Sequence, residues 1–244
     1  MTAIRIRDLR KEYKDVVAVE GLDLEIEEGE LFSLLGVNGA GKTTTVKMLA
    51  TLTEPTSGDA LVCGHSVVRE AQAVKDVIDV SMQETAIARK LTVEENVAFY
   101  AALCGQTKEE IEATKKHVFE AFGLDRVRGK QAGKLPGGWQ RKLSIALALV
   151  SHPKVLFLDE PTLGLDVLAR RELWHTISAL RGKMTIILTT HYMEEAEALS
   201  DRIGIMKDGR LLFVGTKEQL YAATGQNSVE EAFIRIVTGG EDHA

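Results

Sequence analysis

Gly36 to Thr44 reads Gly-Val-Asn-Gly-Ala-Gly-Lys-Thr-Thr, a spacing of glycines, one lysine and hydroxyl residues that suits a phosphate chain. Gly36, Gly39 and Gly41 let the backbone curl around an anion with its N–H groups inward, so Asn38, Ala40 and Thr44 belong to the same candidate cradle. Lys42 then reaches the β- and γ-phosphates, and Thr43 offers a hydroxyl to Mg²⁺. The segment therefore predicts binding of a nucleoside triphosphate. A second chemical pair stands at Asp159 and Glu160, after Val155-Leu-Phe-Leu. One carboxylate for the metal and one for a water is the economical division. Asp159 would hold Mg²⁺, and Glu160 would orient the attacking water or accept its proton in an in-line displacement at the γ-phosphate.

These residues need elements to hold them. Leu31 to Leu35, Val155 to Leu158 and Thr185 to Leu188 are short and almost wholly apolar, as central parallel strands are. The cradle follows the first run directly and leads into a helix, whose positive N-terminal end favours an anion. Asp159 and Glu160 close the second run, at the strand edge where open α/β sheets bind ligands. Ile4 and Ile6 alternate with Arg5 and Arg7, and Leu22, Leu24 and Ile26 with Asp23, Glu25 and Glu27, which predicts half-exposed antiparallel strands. Thr92-Val-Glu-Glu95 and Thr107-Lys-Glu-Glu110 mark helix starts in a long helical insertion. Lys207-Asp-Gly-Arg210 between apolar runs predicts a hairpin. Thr216-Lys-Glu-Gln219 and Ser228-Val-Glu-Glu231 open closing helices, the last with a stripe of Val229, Phe233, Ile236 and Val237 expected to pack on the domain.

Composition narrows the class. The chain has 244 residues, 45% of them hydrophobic and 27% charged, ordinary for a globular protein with a substantial core. No apolar run approaches the length of about 20 residues that spans a bilayer. The N-terminus lacks the apolar stretch of a secretory signal, so a cytoplasmic location is expected. Cys63 and Cys104 are too few and too far apart for a disulfide framework or zinc site and read as buried small hydrophobes. The net charge of −6 argues against a nucleic-acid partner, and the basic stretch Arg126 to Lys134 reads as solvated surface.

Taken in order, these segments resemble the ATP-binding subunit of an ATP-binding cassette (ABC) transporter over nearly the whole chain. The resemblance implies a P-loop α/β fold with a mostly parallel core sheet, an antiparallel β subdomain and an inserted helical subdomain. Residues 1–82 and 146–215 would form the core with its β subdomain, 83–145 the helical subdomain, and 216–244 the C-terminal helices. It also implies further site residues. Gln83, in Val80-Ser-Met-Gln-Glu, matches the glutamine that senses Mg²⁺ or the lytic water and faces the permease. Leu135-Pro-Gly-Gly-Trp139 before Gln140-Arg-Lys-Leu-Ser matches the signature turn, so Pro136, Gly137 and Gly138 would meet an ATP held by another subunit. Leu163-Gly-Leu-Asp166 matches the D-loop, and His191 the switch histidine. Tyr13 lies where the family stacks an aromatic on adenine. Among the other histidines, His65, His117, His152, His175 and His243, none ends a core strand in the same way.

One position departs from the family pattern. Pro136 stands where a serine is usual, and proline has neither that hydroxyl nor a backbone N–H. Pro fits the first turn of a helix, and the amides of Gly137 and Gly138 still precede the signature helix, so an altered but working contact is expected. The resemblance implies two subunits that sandwich two ATP molecules, with Mg²⁺, against a separate membrane permease on the cytoplasmic face. The partner would be an identical chain or a close homologue. Thr53-Glu-Pro-Thr-Ser-Gly-Asp and Val229-Glu-Glu-Ala-Phe-Ile-Arg resemble drug and antibiotic exporter subunits. Two other readings stand beside this one: a soluble cassette ATPase in translation or DNA repair, and a regulatory nucleotide-binding module with little turnover.

Overall fold

Alternation inside an apolar run decides which face each core residue covers. In Leu31–Leu35 all five residues are buried, yet Leu31 joins the cluster under the helical insertion while Phe32 and Leu34 join the cluster under the antiparallel strands. Leu156, Leu158, Ile186 and Leu188 take the first face; Val155, Phe157 and Ile187 take the second. The sheet is thus covered on both sides, as a parallel sheet must be.

The computed structural model describes residues 1–239. In chain order the elements are β1 (Thr2–Tyr13), β2 (Val16–Glu27), β3 (Leu31–Leu35), α1 (Lys42–Leu49), β4 (Ser57–Val62), β5 (His65–Ser66), α2 (Ala71–Lys75) and β6 (Ile78–Ser81). Then follow α3 (Val93–Leu103), α4 (Lys108–Phe122), α5 (Gly137–Ala148), β7 (Val155–Asp159), α6 (Val167–Ser178) and β8 (Thr185–Thr190). The last described elements are α7 (Met193–Leu199), β9 (Arg202–Lys207), β10 (Arg210–Gly215), α8 (Lys217–Thr224) and α9 (Val229–Thr238). The expected C-terminal segment 216–244 therefore extends past the described residues, and so does His243.

The described strands form two sheets. One is antiparallel in the order β2-β1-β4-β5; the other runs β10-β9-β3-β8-β7-β6, parallel except for the β9/β10 hairpin. In the register Leu35 faces Thr190 and Asp159 faces Thr189. The segments that follow β3, β8, β7 and β6 therefore emerge side by side at one carboxyl edge, and these carry the cradle, His191, Glu160 and Gln83.

Local signals explain most boundaries. Thr92, Thr107 and Thr216 close reciprocal capping boxes with Glu95, Glu110 and Gln219. Ser228 accepts from the Glu231 N–H, which gives α9 a one-sided cap. Asp208 and Gly209 both have positive φ, 48° and 77°, as the tight β9/β10 turn requires. Val229 and Phe233 of α9 are buried against Leu35, Ala196, Ile203 and Ile205, with Ile236 and Val237 packed at the margin.

Two expectations are corrected. Cys104 lies exposed at the C-terminal cap of α3, and Cys63 is only half-buried in the turn after β4, where φ is 49°. Turn positions cannot be driven inward by the strand and helix periods that bury the core. Two further parallel strands flank the three apolar runs, β9 beside β3 and β6 beside β7; Asp79 interrupts the apolar run of β6, and burial pushes that carboxyl above the usual range while Ser151 donates to it. No helix of the described residues is long and apolar enough to cross a membrane.

Candidate functional site

The cradle leaves β3 and is fixed from outside by the hairpin. Gly209 N–H donates to the Ala40 carbonyl (3.0 Å), and its own carbonyl accepts from Glu20 N–H (2.9 Å), which ties loop, hairpin and β2 together. Only glycine fits two of the loop positions: a Cβ on Gly36 would strike the Met206 carbonyl oxygen, and one on Gly41, at φ 105°, the Ala18 carbonyl oxygen. Gly39 opens on free space, with φ 84°. Gly41 is the N-cap of α1 and offers no side-chain cap, so the first N–H groups of the helix are left for an outside acceptor.

Around this loop lies a cavity of about 630 Å³, lined by the loop from Asn38 to Thr44 together with Gln83, Glu160, Leu163 and His191. Val16, Val17, Ala18 and Asp208 form its other wall. Tyr13 is not in this lining; it sits 44% exposed at the end of β1, with Lys11 Nζ 4.9 Å from its ring centroid.

The carboxylates reach the cradle from β7. Thr43 O–H donates to both oxygens of Asp159 at 3.0 and 3.1 Å, and Thr189 O–H donates to its Oδ1. Lys42 Nζ donates to the carbonyls of Gly36 (2.7 Å) and Val37 (3.1 Å) and stands 3.3 Å from Glu160 Oε1. His191 Nδ1 is 2.7 Å from Glu160 Oε2. Lys42 and Glu160 are only 5% and 7% exposed, so their pairing acts in a medium of low dielectric. Glu160 holds φ at 48°, a left-handed conformation, with its N–H bound by both the carbonyl and the hydroxyl of Thr189 at 3.1 Å.

The signature segment lies elsewhere. Pro136, Gly137, Gly138 and Asp166 line a separate cavity of about 350 Å³ with Trp139, Leu168 and Ala169. Pro136 is the N-cap of α5 and provides no side-chain acceptor. Asp166 caps α6 by accepting from the N–H groups of Leu168 (2.9 Å) and Ala169 (3.0 Å). Lys142 Nζ lies 5.0 Å from the Trp139 ring and 3.5 Å from Glu172. The two cavities share no lining residue.

Three working residues were missed from the sequence. Arg141 of α5, 4% exposed, donates to the carbonyls of Met82, Gln83 (3.3 Å), Asp159 (2.8 Å) and Pro161 (2.8 Å). It therefore bolts the start of the signature helix to the Gln83 segment and the end of β7. Burial pushes its guanidinium down to about 10, the charges of Asp159, Glu195 and Glu160 opposing the shift. Thr189 binds Asp159 through its hydroxyl and Glu160 through its backbone. Glu195 is wholly buried in α7; Trp174 Nε1 donates to its Oε1 (3.0 Å), its Oε2 has no partner, and burial raises the carboxyl above the usual range.

A mostly parallel sheet whose carboxyl edge carries a glycine-rich loop before a helix, with a carboxylate pair two strands away, is the P-loop nucleotide-binding fold. Within it the chain belongs to the ABC transporter family, whose model matches residues 19–163. It is similar to the daunorubicin resistance ATP-binding protein DrrA3 of Streptomyces coeruleorubidus, 40% identical over 230 residues that cover 94% of this chain and 73% of that protein. It is 36% identical over 242 residues to the probable multidrug ABC transporter ATP-binding protein YbhF of Escherichia coli (strain K12), covering 97% of this chain and 42% of YbhF. Among solved structures, an ATP-binding subunit of an ABC transporter superposes with a TM-score of 0.85 at 27% identity, covering 97% of this chain and 100% of that one.

Proposed function

We propose that this chain is an ATP-hydrolysing motor subunit that pairs with a second cassette and drives a separate permease, exporting drug-like or hydrophobic compounds. The observation that carries the reading is the Lys42–Glu160–His191 chain of contacts beside the cradle, with 3.3 and 2.7 Å between the contacting atoms. Lys42, now turned onto its own loop, would exchange those carbonyls for the β- and γ-phosphates of ATP. The loop amides from Gly36 to Thr44 and the uncapped start of α1 would take the remaining phosphate charge.

Glu160 would orient a water in line with the γ-phosphate and accept its proton as the water oxygen bonds to phosphorus. The bond to the bridging oxygen then breaks, and ADP leaves. His191, already bound to Glu160, would hold that carboxylate in place and meet the γ-phosphate. Thr43, Asp159 and Gln83 are the residues that would hold Mg²⁺. One hydroxyl and one carboxylate suit an ion that takes its other ligands from phosphate and water, and no group of three or more His, Cys, Asp or Glu among the described residues forms a dedicated cage. Bound there, magnesium would supply positive charge against the negative charge that develops on the phosphates.

The signature turn lines a cavity separate from its own chain's cradle, which supports two chains facing each other. Each would present Pro136 to Gly138 and Asp166 to the ATP of the other, and Tyr13 would adjust to stack on adenine. Binding then favours the closed pair because ATP touches both halves only there. The segment 83–145 would carry the motion to the permease on the cytoplasmic face. The relatives' names support export, and the net charge of −6 fits a partner other than nucleic acid.

Two variants test the chemistry. Lys42→Ala should lose ATP binding or hydrolysis, while Glu160→Gln should bind Mg-ATP and turn it over about a hundredfold more slowly or worse, the range expected for a lost proton acceptor. Turnover by Glu160→Gln at the wild-type rate would sink the assignment.

A further inference from the structure

Tyr192 follows His191 and stacks on it, the ring centroids 4.1 Å apart and the planes tilted by 39°. The guanidinium carbon of Arg170 also lies against the ring, 4.3 Å from the Tyr192 centroid. Arg170 stands one turn into α6, where its N–H donates to the Asp166 carbonyl (2.9 Å). Its Nε is buried without a hydrogen-bond partner. An N–H withheld from water and given no acceptor is unusual in a folded protein. The ring face offers the half-exposed guanidinium a cation–π attraction in place of that hydrogen bond.

A second strut joins the same helices one turn further on, where Trp174 of α6 donates to Glu195 of α7 (3.0 Å). Tyr192 itself is the N-cap residue of α7, and its N–H is pinned to the Thr190 hydroxyl (2.9 Å). Its backbone is thus fixed, and the direction of its ring is set by Arg170. A contiguous series of contacts leads from Asp166 through Arg170, Tyr192 and His191 to Glu160.

We propose that Arg170 and Tyr192 are positioning residues that set the orientation of His191, and hence of Glu160, according to where the first turn of α6 sits. The first turn of α6 carries the exposed apolar residues Val167 and Leu168, at 65% and 75%, where an approaching chain would make contact. Since Arg170 packs on Tyr192, a shift of that turn would carry the two contacting rings with it. The inference rests on the ATPase reading above, and it adds the route by which closure on a second chain reaches the water-activating pair.

The test measures kcat, KM, thermal midpoint and the Kd for a fluorescent ATP analogue with Mg²⁺ on the full chain. Arg170→Met and Tyr192→Leu should each lower kcat by about tenfold, with KM and Kd within about twofold of wild type, as for an interaction made only in the transition state. Tyr192→Phe, which keeps the stack, and Arg170→Lys, which keeps a cation over the ring, should recover most of the loss. In a His191→Ala background, Arg170→Met should cost nothing further, because both then remove one shared effect. Losses that multiply in the double variant would overturn the proposal. So would a Tyr192→Phe protein as slow as Tyr192→Leu, or single variants at wild-type kcat. A Glu160→Gln protein at wild-type turnover would instead fail the ATPase reading itself, so the two failures are distinguishable.

Discussion

Replacing Arg141 by methionine keeps the stem's bulk and removes the guanidinium, leaving the carbonyls of Met82, Gln83, Asp159 and Pro161 without their donor. Hydrogen bonds from a charged donor are each worth about 1.5–3 kcal/mol, so four would total about 6–12 kcal/mol before the cost of burying the charge. That cost is large here, since burial has pushed the guanidinium down to about 10 despite three carboxylates nearby. Subtracting a desolvation penalty of several kcal/mol leaves about 3–5 kcal/mol, the usual loss when one side of a buried charged arrangement is removed. A domain of this size loses about 2–4 °C of midpoint per kcal/mol, which gives a fall of about 6–20 °C.

A thermal melt at pH 7.5 followed by far-ultraviolet circular dichroism measures this directly, with Arg141→Lys beside it. Lysine keeps a cation but cannot reach four carbonyls on two segments at once, so its midpoint should fall between the other two. A drop of under about 3 °C for Arg141→Met, less than one kcal/mol or so, would refute the reasoning. It would mean that water satisfies these carbonyls and that the junction of α5, β6 and β7 is wet.

Three further outcomes are expected. Pro136→Ser should raise ATP turnover by less than about tenfold, because the amides of Gly137 and Gly138 already start α5; a larger rise in a steady-state assay would mean that the native signature turn is crippled. Asp166→Ala should lower the midpoint by about 2–4 °C, the equivalent of about 1 kcal/mol for a lost N-cap, and Asp166→Asn should restore it. Glu195→Gln should stabilise the protein at pH 8 and do so less at pH 5. The folded-state carboxyl titrates above its unfolded value, so its favourable protonated form is fully present below the unfolded pKa and is lost as pH rises through the folded one. A difference in midpoint that stays constant between pH 5 and 8 would contradict that.

What was legible in the sequence was whatever is local. Gly36 to Thr44 declares its chemistry within nine consecutive residues, and β3, β7 and β8 declare themselves as apolar runs too short for helices. The capping boxes at Thr92, Thr107 and Thr216 are equally local, needing only a residue and its neighbour three places on. Arg141 was visible in Gln140-Arg-Lys-Leu-Ser, but its four acceptors lie 18 to 59 residues away and are main-chain carbonyls, which carry no side-chain signature. Glu195 reads as one more acid in the first turn of a helix, and only the fold reveals that it is buried against Trp174. Tyr13 was placed by family order alone. Nothing in the packing of β1 fixes its ring toward the cavity wall at Val16 to Ala18.

The carboxylate pair shows why local pattern was nonetheless enough for the centre of the site. Consecutive residues of an extended strand point to opposite faces, so a strand continued through Asp159 and Glu160 would turn one of them away from the cradle. The chain avoids this by leaving the sheet at once: Glu160 adopts φ 48°, at a cost of about 1–2 kcal/mol for a residue with a Cβ. Such a conformation persists only where its surroundings hold it. Here they are the Thr189 carbonyl and hydroxyl on its N–H, and Lys42 and His191 on its carboxylate. The turn sends Asp159 to Thr43 and Glu160 to Lys42, neighbouring residues of one helix start. Thr189 makes the arrangement cooperative, because it donates to Asp159 and accepts from Glu160 through the same hydroxyl. The strain at Glu160 is therefore borne by Lys42, Thr189 and His191, the residues that meet it at the candidate site.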